Sequence, residues 1–146
     1  MVDVGDQAPD FSSEDADGNL ISLGQQLGEG KIFLYFYPMA FSPTCKDQLA
    51  EFTKRKDEIP AKIIAISADL RYAVAAFRDK LNTSITLLSD PVHHAIEMYA
   101  GIFKDKGISN RAYFIVDETG MITFKKVMGD PGEKMDVEEI IRELNK

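Results

Sequence analysis

The residue best suited to chemistry in this 146-residue chain is a single sulfur. Cys45 is the sole cysteine. It stands in the stretch YPMAFSPTCKDQLAEF (37–52), behind Pro38 and Pro43 and at the expected start of a helix. The first N–H groups of a helix lack intrahelical partners and, together with the helix dipole, favour negative charge. A thiol there is expected to ionise, and the thiolate is the nucleophilic form. Context alone leaves two readings level: a reactive nucleophile, or a buried cysteine serving as a small hydrophobe. One cysteine excludes an internal disulfide framework and a cysteine-rich metal site, and it fits a reducing compartment such as the cytoplasm.

The elements that must position this sulfur follow from the hydrophobic pattern. Short strands are expected near 10–13 and 20–23, with Gly18 and Asn19 turning between them. KIFLYFY (31–37) and AKIIAISA (61–68) are continuous apolar runs of the kind buried on both faces of a sheet. Between them a helix is expected over 43–57, with Ser42 as N-cap and Pro43 at the first helical position. A helix over 70–81 with Asp69 as cap, a strand over 84–90 and a short helix over 91–100 led by Pro91 come next. Strands 111–117 and 121–128 form a hairpin turning at Gly120, and an amphipathic helix over 134–145 closes the chain. Buried strands alternating with helices imply parallel right-handed crossovers and helices on both faces. The expected fold is therefore α/β, a thioredoxin-like arrangement with a central mixed sheet, in one domain spanning 1–146.

Composition narrows the function classes. Hydrophobic residues make up 45% and charged residues 28%, which is ordinary globular usage and argues against disorder. The net charge of −7 argues against a broad nucleic-acid footprint, so no nucleic-acid partner is expected. No segment has the length of a membrane span, and MVDVGDQAPDF lacks the charged and apolar regions of a signal peptide, so no membrane partner is expected either. His93 and His94 are adjacent and point about 100° apart on a helix, which disfavours joint metal binding. A disulfide reductase is disfavoured because Cys-x-x-Cys is absent.

The stretch Pro38-Met39-Ala40-Phe41-Ser42-Pro43-Thr44-Cys45 matches the Pro-x-x-x-Thr/Ser-x-x-Cys motif and resembles the active-site loop of peroxiredoxins. VGDQAPDF (4–11), LLSDPVHHAIEMYAGI (87–102) and RAYFIVDETGMI (111–122) resemble further segments of the alkyl hydroperoxide reductase and thiol-specific antioxidant group, in the same order. The resemblance spans nearly the whole chain and extends to the bacterioferritin-comigratory members.

The resemblance implies a thiol-dependent peroxidase that reduces hydrogen peroxide and alkyl hydroperoxides. Cys45 would attack the peroxide and become a sulfenic acid. Ser42 would hydrogen-bond sulfur and peroxide, Pro38 would shield the pocket, and Arg111 would stand beside the sulfur. The backbone of Thr44 would help stabilise the leaving group. Gln48 has two readings: a member of the network around Arg111 and the substrate, or a solvated helix position. In the bacterioferritin-comigratory group a resolving cysteine often lies five residues after the first, where this chain has Ala50. The implied cycle is of the one-cysteine type, with an external thiol as reductant: a thioredoxin- or glutaredoxin-like protein, or a small thiol. No metal, haem, flavin or other cofactor is expected, and a homodimer is. The competing class is a peroxide sensor or non-enzymatic thioredoxin-fold protein acting through partner binding.

Overall fold

A computed structural model describes residues 1–146. Seven strands form one mixed sheet: β1 (Ser12–Asp15), β2 (Leu20–Ser22), β3 (Ile32–Phe36), β4 (Lys62–Ser67), β5 (Thr86–Ser89), β6 (Ala112–Val116) and β7 (Ile122–Val127). Their order is β2-β1-β5-β4-β3-β6-β7. The central pairs β3–β4 and β4–β5 are parallel, and β6 joins the other side of β3 antiparallel. Five helices cover the sheet: α1 (Leu23–Gln26), α2 (Pro43–Lys54), α3 (Arg71–Leu81), α4 (His94–Tyr99) and α5 (Val137–Leu144). The expected thioredoxin-like α/β arrangement is what forms.

The period-two alternation of strands sorts the core into two layers. Phe33, Tyr35 and Tyr37 of β3 and its extension face one side, where they pack with Leu49 and Phe52 of α2, Val74 and Phe77 of α3 and Ile140 of α5. Ile32, Leu34 and Phe36 face the other side, against Leu23 of α1 and Ala95, Ile96 and Tyr99 of α4. Every residue of β3 and β6 is buried, which explains their unbroken apolar character.

The strands expected near 10–13 and over 84–90 form at Ser12–Asp15 and Thr86–Ser89, and four helix ends or caps differ from the sequence reading. Helix α2 stops at Lys54, and a 3₁₀ turn over Lys56–Glu58 follows. Pro60 pushes Ile59 to an extended conformation, so the helix has no room to continue. Asp69 does not cap α3. Its carboxylate accepts from Ala40 N (2.8 Å) and Ser67 Oγ (2.8 Å), leaving Leu70 at the cap position. Pro91 does not start α4: His93 takes a left-handed conformation (φ 61°), and Asp90 caps the helix through His94 N (3.0 Å) and Ile96 N (2.9 Å). Helix α5 begins only at Val137, where Asp136 accepts from Glu138 N at 3.1 Å.

Candidate active site

Cys45 is the third residue of α2 and is fully buried. Strand β3 delivers the chain to the C-terminal edge of the parallel strands, where ligand sites of open α/β sheets form. Residues 37–42 then turn the chain into α2. Asp69 holds this turn by its bond to Ala40 N. Phe41 adopts φ 68°, rare for a bulky residue, and its ring packs on Phe77 of α3 at a centroid distance of 5.1 Å. Ser42 occupies the N-cap position with an extended backbone, and Pro43 opens the helix as expected. The Ser42 hydroxyl donates to Met39 O (2.9 Å) and caps no helical N–H. The first helical bond runs from Lys46 N to Ser42 O (2.9 Å), so the N–H groups of Thr44 and Cys45 stay free of intrahelical partners.

Arg111 reaches the sulfur from the far side of the sheet order. Antiparallel pairing sets Ala112, the first residue of β6, opposite Phe36, the last of β3. Alternation then puts Arg111 on the same face as Tyr113, beneath α2. Arg111 as a whole is 1% exposed, and its Nη2 donates to Cys45 Sγ at 3.3 Å and to Pro131 O at 2.7 Å. Nη1 donates to the Tyr35 hydroxyl, and the buried Nε–H has no partner. No carboxylate forms an ion pair with Arg111. Burial opposes its charge, but the facing Tyr35 and Cys45 outweigh that penalty and hold its pKa above the ordinary value.

Gln48 lies one turn after Cys45 on the buried stripe of α2 and turns inward. Its Oε1 accepts from the Tyr113 hydroxyl (2.5 Å), and its Nε2 donates to Met135 O (2.8 Å). Tyr113 also accepts from Met135 N at 3.0 Å. The rings of Tyr37, Tyr35 and Tyr113 stack in a row beneath the helix, with centroid separations of 5.7 and 5.3 Å. Burial pushes the Tyr113 phenol up to about 12 and raises Tyr35 well above its usual value, so both are neutral hydrogen-bonding groups at physiological pH.

A cavity of about 260 Å³ opens over the site, lined by Pro38, Met39, Ser42, Thr44, Arg111 and Pro131 among others. Four of the six residues singled out in the sequence line it. Cys45 and Gln48 do not line it; both are fully buried beside it on α2. A larger groove of about 590 Å³, bordered by Leu20, Leu70, Tyr72 and Val92, contains none of the six. Sequence reasoning missed Tyr35, Tyr113 and the Pro131 carbonyl. Positions 35, 37 and 113 read as apolar strand residues, and only their shared parity along paired strands hints that three hydroxyls face α2. His93, set aside as a metal ligand, places Nε2 2.9 Å from Gly107 O.

The chain matches the AhpC/TSA family over residues 4–125. It is 33% identical to the alkyl hydroperoxide reductase E of Mycobacterium bovis over 142 residues, covering 93% of this chain and 92% of that protein. It is 31% identical to peroxiredoxin Bcp of Escherichia coli over 129 residues, covering 82% and 81%. Among solved structures, the reduced 2-Cys peroxiredoxin of Plasmodium vivax superimposes with a TM-score of 0.86 at 27% identity, covering 97% of this chain and 94% of that one. Peroxidoxin BcpB of Mycobacterium tuberculosis does so with a TM-score of 0.84 at 22% identity, covering 99% and 97%, a likeness of fold.

Proposed function

This chain belongs to the AhpC/TSA family of peroxiredoxins and is a thiol-dependent peroxidase; we propose that Cys45 is its peroxidatic residue and that Arg111, Ser42, Thr44 and Pro38 form the peroxide site. The observation that carries this reading is the 3.3 Å contact between Arg111 Nη2 and the only sulfur in the chain able to ionise.

In the proposed reaction the Cys45 thiolate attacks the terminal oxygen of R–O–O–H. The S–O bond forms as the O–O bond breaks, sulfur loses two electrons, and the alkoxide or hydroxide leaves and takes up a proton. Arg111 Nη2 and the free N–H groups of Thr44 and Cys45 surround the place where charge moves from sulfur to the leaving oxygen. The Ser42 hydroxyl lies on the cavity wall and can donate to the peroxide after releasing Met39 O. Pro38 closes the same wall with an apolar surface. Gln48 holds α2 from behind by its bonds to Tyr113 and Met135.

With no second cysteine, the Cys45 sulfenic acid is resolved by an external thiol. That thiol forms a mixed disulfide and releases water. A second thiol then restores Cys45 and leaves as the oxidised disulfide. We propose hydrogen peroxide and small alkyl hydroperoxides as substrates, because the cavity wall combines Pro38 and Met39 with Arg111. We also propose a cytoplasmic homodimer. Met39, Phe41, Leu70, Tyr72 and Val92 are exposed apolar side chains on loops and helix starts, and a second subunit would cover such surface. No helix is long and apolar enough to cross a membrane.

The test is the second-order rate of Cys45 with hydrogen peroxide by stopped flow, with Ser42→Ala beside the parent. A rate orders of magnitude above that of a free thiol, reduced in the variant, supports the assignment. A rate like that of free cysteine overturns it in favour of a sensing or binding role.

A further inference from the structure

We propose that Tyr35 is the positioning residue for Arg111: its phenol oxygen fixes Nη1 and thereby turns Nη2 onto Cys45 Sγ. The inference rests on the peroxidase reading of Cys45 and goes beyond it, because Tyr35 does not line the cavity and makes no hydrogen bond to the sulfur.

A guanidinium takes its orientation from its acceptors, and that of Arg111 has no carboxylate to fix it. Apart from the Cys45 sulfur, its hydrogen-bond partners are neutral. Nε–H has no partner, Nη2 is shared between Sγ and the Pro131 carbonyl, and Nη1 has the Tyr35 hydroxyl. Pro131 belongs to the irregular segment between β7 and α5. Tyr35 belongs to the central strand, paired on one side with Ala65 of β4 and on the other with Tyr113 of β6. Its ring is clamped by Tyr37 and Tyr113 on its faces and by the edge of Phe52 at 5.2 Å. The acceptor oxygen is therefore the most rigidly held of the groups that Arg111 meets.

The three stacked tyrosines divide their work. The Tyr113 hydroxyl serves Gln48 and Met135 N, and the Tyr37 hydroxyl has no partner. Only Tyr35 meets Arg111. A phenylalanine would fill the same space, so packing alone does not account for a hydroxyl at a fully buried strand position.

Tyr35→Phe keeps the ring and deletes the acceptor, leaving Nη1 buried and free to pull the guanidinium away from sulfur. A hydrogen bond to a charged group of this kind is worth roughly 10- to 100-fold in an equilibrium. Part of that passes to the reaction, so the peroxide rate should fall about tenfold. The experiment compares the reduced parent protein, Tyr35→Phe, Arg111→Met and the double variant. Three readouts are taken at neutral pH: the hydrogen peroxide rate, the rate of alkylation by iodoacetamide, and the ultraviolet absorbance of the thiolate. Tyr35→Phe should lower all three. In the Arg111→Met background it should change each rate by less than about twofold, since the residue it positions is gone. A Tyr35→Phe protein within about twofold of the parent, or a loss that repeats in full without Arg111, overturns the proposal. A parent no faster with peroxide than a free thiol overturns the peroxidase reading instead; alkylation and absorbance then still decide whether Tyr35 acts through Arg111.

Discussion

Replacing Arg111 by methionine separates chemistry from stability. At 3.3 Å a full charge pair in an effective dielectric of about 20 is worth about 5 kcal/mol. Not all of this accelerates the reaction, because the thiolate is stabilised before attack as well as during it, and only the difference counts. As the O–O bond breaks, charge moves from sulfur to the departing oxygen, which enters the cavity that Arg111 lines. Loss of one donor aimed at such a charge costs about 2.7–4 kcal/mol, or about 100- to 1,000-fold. Folding should respond differently. Arg111 is desolvated with no carboxylate partner and an unbonded Nε–H, so its removal relieves a buried charge, and the Cys45 sulfur it faces can take up a proton instead of being left as an unpaired buried anion. The Tyr35 hydroxyl and Pro131 carbonyl each lose a partner, at about 1 kcal/mol apiece. Arg111→Met should therefore lower the stopped-flow peroxide rate by about 100- to 1,000-fold. Its unfolding free energy in urea should stay within about 2 kcal/mol of the parent, the cost of the two lost hydrogen bonds. A rate loss below about tenfold, or a variant that unfolds as it loses activity, would show that the guanidinium is a core strut and not a catalytic group.

Two further outcomes follow from contacts around the site and the hairpin. Asp69→Ala removes the acceptor for Ala40 N and Ser67 Oγ; it should cost about 1–3 kcal/mol in urea unfolding and slow the peroxide reaction about tenfold by loosening the turn before α2. The bond from the Thr119 hydroxyl, reinforced by the N–H groups of Thr119 and Met121, holds the Asp117 carboxyl below the usual carboxylate range. A depressed folded value means that this contribution is present above the unfolded pKa and is lost as pH falls through the folded one. Asp117→Ala should therefore flatten the loss of stability below about pH 4, read from urea midpoints across an acid series. An unchanged acid slope would contradict the assignment.

How much of this was legible varies from residue to residue. The apolar run 31–37 announced a central strand, and the Pro38–Cys45 spacing marked the start of α2 and singled out Cys45 as the candidate nucleophile. Gln48 was readable in part: positions 45, 48, 49 and 52 share one helical face, and that face is buried. The meeting of Arg111 with Cys45 has no local signal. It arises because β6 enters antiparallel beside β3, across 66 positions of sequence. Before that pairing is known, only family resemblance distinguishes Arg111 from an arginine at a strand end. The Tyr35 hydroxyl was hidden for a related reason, since a buried aromatic in a strand reads as packing until its oxygen is seen to meet a cation. The start of α4 was misread because proline at the first helical position is a common signal, whereas Asp90 caps across an intervening turn.

The burial of Cys45 limits which reductant can finish the cycle. Attack on a sulfenic acid needs the incoming sulfur in contact with Sγ, yet that sulfur has no exposed surface and lies beside a cavity of about 260 Å³. A small thiol fits such a space and needs only a local side-chain shift to meet the sulfur; the thiol of a folded protein does not reach it without opening the start of α2. Beyond the bond from Ala40 N to Asp69, the anchors of that segment are weak. Ser42 makes no capping bond, Pro43 supplies no N–H, and Phe41 is held at φ 68° by its contact with Phe77. Opening the first turn gives up the Lys46 N to Ser42 O bond and the Arg111 contact while releasing the strain at Phe41. Phe41→Gly relaxes that conformation and removes the Phe77 contact, so it should favour the open form. It should speed reduction of the sulfenic acid by a thioredoxin-like protein several-fold more than reduction by a small thiol. Equal acceleration of both reductants would mean that access to the sulfur does not limit the cycle.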